Sequence, residues 1–370
     1  MSPPGPNGRP VRSEYQWPGI FRSCVMLDGM STPKARGELL EALRLSRGLT
    51  QAQVAAATGV SQAALSKLES GHADADDDRW DQLADYLGVP ATAFFDVVGS
   101  AAPARIFHRK RKTTSQTAVR KVAAELSLVR LRVEDLLGAR RTTLNRHDLE
   151  GGFSTPQEVA QLVRSELGLG TEPIENLVGL LEGAGAVVLR WPLEAIQVDA
   201  VASWQDDTVP VVLVGEHVPP DRQRFTVAHE LGHAVMHDGD ASESQEREAD
   251  AFAGEFLLPA ERLGTEWPPS PSLEDLLPLK RRWGVSLPAL IRRAYDADIL
   301  SDDEYRKWNI FLSTTGMHRR EPQPTERENP AALAAVIRDA LAAGSTVDQL
   351  ASRAYMYPRE FEFTFLQETT

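Results

Sequence analysis

His229 and His233, four residues apart with Glu230 between them, sit in the run Phe-Thr-Val-Ala-His-Glu-Leu-Gly-His-Ala-Val-Met-His at 225–237. On a helix, residues four apart lie one above the other, so both imidazoles can reach a single metal ion. Glu230 lies about 100° round the helix from His229, placed to act on a metal-bound water and not to ligate. A zinc ion held this way lowers the pKa of its water to about 7, and the carboxylate takes the proton. The spacing points to a zinc-dependent hydrolase with Glu230 as general base. The plainer alternative is a buried core helix whose histidines bond to backbone.

The elements around the motif must place it. A helix is expected over 221–236, opened by Pro219-Pro220 and ending near Asp238-Gly239. Phe225, Val227, Ala228, Leu231, Ala234 and Val235 give it an apolar face. Catalytic zinc needs a third protein ligand and an open fourth position. A third histidine farther along is ruled out, because Met236 stands where a glycine is required and Gly239 where the histidine would be. A second helix within 244–259, stopped by Pro259, offers acids instead. Glu248, one turn before the buried-side Phe252, is the favoured ligand, with Glu246 and Asp250 as competitors. Asp250 is expected to orient a ligating histidine. His237, about 80° from His229 by helix geometry, is read as a residue beyond the ligands that lines the cleft or stabilises an oxyanion, with a plain helix-end histidine as the favoured alternative.

These two segments together, Asp221 to His233 and then Glu-Ala-Asp-Ala-Phe-Ala-Gly-Glu-Phe-Leu-Leu-Pro ending at Pro259, resemble the ImmA/IrrE family of metallo-endopeptidases. That family pairs a His-Glu-x-x-His helix with a Glu-Ala-(Asn/Asp)-x-Phe-Ala helix ending in Leu-(Leu/Met)-x-Pro. Here Leu257-Leu258-Pro259 lacks the spacer residue. The resemblance covers about 155–300. It implies zinc ligands His229, His233 and Glu248, with Glu230 as general base. It also implies a protein substrate, because members resemble proteases that cleave helix-turn-helix repressors.

A second chemistry is written nearer the start. Short helices are expected from 35 to 95: Leu39, Leu40, Leu43 and Leu45 mark the first, and Thr50 caps the second. Gly59 turns the chain, Ser61 caps a third helix stopped at Gly71, and Trp80, Leu83, Tyr86 and Leu87 mark a fourth. Thr50-Gln51 and the pattern Ser-x-x-x-Leu-Ser-x-Leu-Glu-x-Gly at 61–71 resemble the Cro/cI-like (XRE) helix-turn-helix family. In such modules the third helix enters the major groove of double-stranded DNA. Gln62 can then pair with adenine and Ala63 can touch a thymine methyl. Gln51, Ser61, Ser66 and Lys67 would meet phosphates or neighbouring bases. Leu65 and Leu68 belong to a core, and Glu69 to its support. Five basic and three acidic residues between 34 and 71 leave little net charge for phosphates, which favours a homodimer on paired half-sites.

Whole-chain numbers narrow the rest. A net charge of −13 over 370 residues argues against general coating of nucleic acid, so DNA contact should be local. The seven cations Arg105, Arg109, Lys110, Arg111, Lys112, Arg120 and Lys121, with no acid between Val97 and Ala124, read equally as a basic hinge or a solvated linker. The single cysteine, Cys24, excludes an internal disulfide framework and a cysteine-based zinc cluster. No signal peptide and no apolar run of the roughly 20 residues that span a membrane stand out, so a cytoplasmic protein is expected. Residues 1–33 read as a disordered tail, and Met26 or Met30 is a candidate start.

The expected class is α+β multidomain. It comprises a helix-turn-helix bundle at 34–97, a basic linker and connecting helix at 98–150, a zincin-like domain with a small sheet at 151–318, and a helical region at 319–370. Three short strands are expected between 186 and 214, one of them an edge able to hold an extended peptide. Two functions are compatible with this plan. One is a DNA-binding regulator with a zinc endopeptidase that cuts a repressor, an antitoxin or itself on a signal. The other is a ligand- or partner-sensing regulator whose zinc domain is non-catalytic. Glu230, which a structural zinc site does not require, favours the first.

Overall fold

Ser and Thr caps, each accepting the backbone N–H three residues on, start most of the helices in the computed structural model. It describes residues 31–366 except 103–115, 139–141, 148, 150–154, 194–197, 205–208, 238–241 and 318–319. Most of the expected tail and the cations at 105–112 lie outside the described residues.

Helices α1 (Pro33–Ser46), α2 (Gln51–Thr58), α3 (Gln62–Glu69), α4 (Asp77–Leu87) and α5 (Thr92–Asp96) form the first bundle. Their core is Leu39, Leu40, Leu43, Val54, Leu65, Leu68, Trp80, Leu83, Leu87 and Phe94. Gly59, at φ 68°, makes the left-handed turn between α2 and α3 that glycine adopts without cost. The long helix α6 (Gln116–Leu137) packs on α1 and adds Leu128 and Leu131 to the same core.

Helices α7 (Pro156–Glu166) and α8 (Leu177–Gly183) lead into strands β1 (Val187–Trp191), β2 (Ala200–Ser203) and β3 (Val211–Gly215). Strand order is β1-β3-β2, with β1 parallel and β2 antiparallel to β3, so β2 is an edge. The strands are apolar almost throughout because both faces are covered. Val188, Ala200, Ala202, Val212 and Val214 face a core built with α9 (Pro220–Met236) and α10 (Glu243–Leu257). Val187, Val201, Val211 and Leu213 face the opposite way, onto Val122, Leu126, Val129 and Val133 of α6.

Helices α11 (Ala260–Glu266), α12 (Leu273–Trp283), α13 (Leu287–Asp296) and α14 (Asp302–Thr314) follow. The polar, proline-bearing stretch after α14 is pinned as a strap. Buried Lys280 bonds Asp221 at 2.7 Å and the carbonyl of Gln323 at 2.9 Å, and pairs with Glu321 at 3.3 Å. Farther on, Glu328 accepts from Arg224 at 2.6 Å and from the backbone N–H of Val178 at 3.0 Å. Helices α15 (Ala332–Ala342), α16 (Val347–Arg353) and α17 (Pro358–Phe361) then cover the outer face of the sheet together with α6. The architecture is α+β, mostly helical, with one small sheet.

Candidate metal centre and nucleic-acid interface

α9 carries the motif inside the core, and α10 packs against it. A capping box, Ser242 with Gln245, fixes where α10 begins and so the phase of its acidic first turns. The Nε2 atoms of His229 and His233 lie 3.1 Å apart. One oxygen of Glu246 stands 3.7 Å from the first and the other 3.5 Å from the second. Tetrahedral zinc with bonds of about 2.0–2.2 Å sets its ligand atoms about 3.3–3.6 Å apart, and the three groups bracket that spacing at 3.1, 3.5 and 3.7 Å.

Burial sharpens the fit. His233 is fully buried and His229 nearly so, and both oxygens of Glu246 are buried with no close hydrogen bond among the described residues, only the two imidazoles at 3.5 and 3.7 Å. Buried carboxylate oxygens without donors are costly unless a cation meets them. The site therefore suits a divalent cation held by nitrogen and oxygen donors.

Glu248, the expected third ligand, is not brought to this group. Positions 246 and 250 lie one turn apart on the face that α10 turns to α9, whereas 248 lies about 200° round the helix from 246. The Glu248 carboxylate instead accepts from His237 Nε2 at 2.9 Å. Asp250 stands where expected, bonded to His229 Nδ1 at 2.9 Å. His237 lies behind the histidine pair, its Nδ1 2.9 Å from His233 Nδ1.

Glu230 is buried on the sheet side, where it accepts the backbone N–H of Ala202 on β2. Its second oxygen has no partner among the described residues. Burial pushes its carboxyl up to about 8 in the metal-free chain. For His229, burial opposes charging, but Asp250 and the Glu246 carboxylate outweigh it and raise the imidazole to about 10. Burial would likewise raise Glu246, yet the two histidines hold it down at about 2. Burial lowers His233 and His237. Without metal, a proton on His229 thus takes the cation's place.

At the other end of the chain, Ser61 caps α3 by accepting from Ala64 N, and Gln62, Ala63, Ser66 and Lys67 are exposed on it. Gln51 is partly buried, and its Nε2 donates to Glu69 at 2.7 Å. Glu69 is buried and grips Arg44 through two bonds, Nε at 2.5 Å and Nη2 at 2.9 Å. Arg36 is paired with Asp74 at 3.1 Å. Lys34 also lies 3.8 Å from Glu38, so three of the five cations counted in this region are in ion pairs, and Lys67 is the cation that α3 itself displays.

Comparison with known families agrees with both halves. Residues 40–94 match the helix-turn-helix family, of XRE type, and residues 181–295 match the IrrE N-terminal-like domain of the M78 peptidases. A comparison with curated proteins found no match. The chain thus carries a helix-turn-helix-like segment ahead of a segment similar to the IrrE N-terminal-like domain. No helix among the described residues is long and apolar enough to cross a membrane.

Proposed function

We propose that this chain is a transcriptional regulator that binds an operator through α3 and carries a zinc-dependent endopeptidase, cutting a repressor- or antitoxin-type protein or itself. Zinc would be held by His229, His233 and Glu246, and would supply a Lewis acid that activates water and polarises the scissile carbonyl. Glu230 takes the proton from the attacking water and returns it to the leaving amine. The outer edge of β2 runs beside Glu230 and offers main-chain groups to an extended peptide. Two copies on paired half-sites would supply the DNA affinity that one weakly charged module lacks.

The observation that carries this reading is Glu230: a buried carboxylate with an unpartnered oxygen, adjacent in sequence to a ligand and unnecessary to a structural metal site. Zinc content and proteolysis of helix-turn-helix proteins, and of the chain itself, are to be compared between wild type and Glu230→Gln. Stoichiometric zinc in both with a defined fragment from wild type alone supports the proposal. Zinc in both with no cleavage of any protein moves the reading to a non-catalytic sensor.

A further inference from the structure

The two hydrogen bonds that join Glu248, His237 and His233 have a directed polarity. A carboxylate oxygen accepts, so His237 Nε2 carries the proton of its 2.9 Å bond to Glu248. A neutral His237 then presents a lone pair at Nδ1, and the 2.9 Å bond to His233 must be donated by His233 Nδ1–H. His233 Nε2 is left as a lone pair facing His229 Nε2 and Glu246. On the other side, Asp250 does in one step for His229 what Glu248 does in two for His233.

The backbone holds this chain of contacts in place. His237 is the residue at which α9 ends, with φ −116° and ψ 142°, and its N–H still bonds the carbonyl of His233 at 3.0 Å. Its own carbonyl accepts from Arg146 at 2.8 Å, and the neighbouring His147 N–H bonds the carbonyl of Val235 at 2.8 Å. The helix end is thus clamped by a segment from outside it. The ring is buried and packs against that of His233, with centroids 5.1 Å apart.

We infer that His237 and Glu248 are positioning residues for the metal centre, a carboxylate–histidine relay that fixes His233 in the tautomer whose Nε2 binds metal. This rests on the metal reading above. Such outer partners are worth about 10- to 100-fold in metal affinity.

The test uses the full chain, wild type against Glu248→Ala and His237→Phe. Metal-free protein labelled at histidine reports the His233 tautomer by long-range proton–nitrogen spectra. Cobalt binding, in competition with a chromophoric chelator, reports affinity and ligand set. The relay predicts Nδ1–H at His233 in wild type, and a mixed or reversed tautomer in both variants. It also predicts cobalt held 10- to 100-fold more weakly with an unchanged visible spectrum. Glu248→Ala, at the half-exposed end of the relay, carries the test alone if His237→Phe fails to fold. Variants that match wild type in tautomer and affinity overturn the relay. A changed cobalt spectrum in Glu248→Ala overturns it as well, by making Glu248 a ligand. A wild type that takes up no cobalt overturns the metal reading itself.

Discussion

Gly232 of α9 faces Phe252 of α10 with no room for a methyl group: a Cβ there would lie 2.9 Å from Phe252 Cδ1 and 3.3 Å from its Cβ. The glycine inside the motif is what lets the helix bearing both histidines meet the helix bearing Glu246. Gly232→Ala is expected to push the two apart, at a cost of about 1–3 kcal/mol. Zinc affinity should fall with it, since Glu246 moves off the histidine pair. Melting temperature and zinc competition check this, and a variant with both unchanged would show that Phe252 simply turns aside.

Metal uptake should be coupled to proton release. His229 is raised from 6.5 to about 10 in the metal-free chain, so between those values it carries a proton that the metal must displace. Affinity for zinc should therefore rise about tenfold per pH unit across that window. The same shift makes His229 stabilise the metal-free fold below pH 6.5, a contribution lost as pH climbs through about 10. Calorimetry in buffers of different ionisation enthalpy counts the protons. Zinc binding that releases none at pH 7 would remove His229 as a ligand.

Lys280 is buried, and Asp221, Glu321 and the carbonyls of Pro322 and Gln323 all converge on its ammonium. Lys280→Met leaves two carboxylates buried without their cation, a loss of about 3–5 kcal/mol. Urea unfolding should show it, and limited proteolysis should now cut within 320–330. A strap that stays protected in a destabilised variant would mean that the bonds of Thr325, Arg327 and Glu328 suffice to hold it.

Under the proposed DNA reading, Gln62→Ala should weaken binding by about 1–3 kcal/mol and relax preference at one base position. Binding to a panel of operator variants distinguishes the cases. An equal loss on every sequence would assign Gln62 to phosphate.

Much of this was legible in the residues, because caps, glycine turns and apolar spacing act locally. Thr50, Ser61, Gly59 and the apolar stripe of α9 announce their helices, and the His229–His233 spacing announces a shared ligand. What escaped depends on long-range geometry. Whether Glu246 or Glu248 meets the histidines turns on the phase at which α10 crosses α9, which Ser242 and the Gly232–Phe252 contact set together. That β2 is an edge depends on pairing between strands distant in sequence. Between 320 and 329, nothing in the polar, proline-bearing sequence announces a buried strap, yet Glu321 and Glu328 are there to satisfy Lys280 and Arg224. Gln51 read as a DNA contact, and only the fold reveals Glu69 beneath it.

α6 belongs to two interiors at once: Leu128 and Leu131 complete the bundle around Trp80, while Val122, Leu126, Val129 and Val133 roof the sheet. The helix-turn-helix bundle and the IrrE-like half are therefore not beads that can be unstrung. Cutting between them at any point from 98 to 137 strips one interior or the other of its wall. Trading the head for that of another regulator would require carrying a matched helix with it.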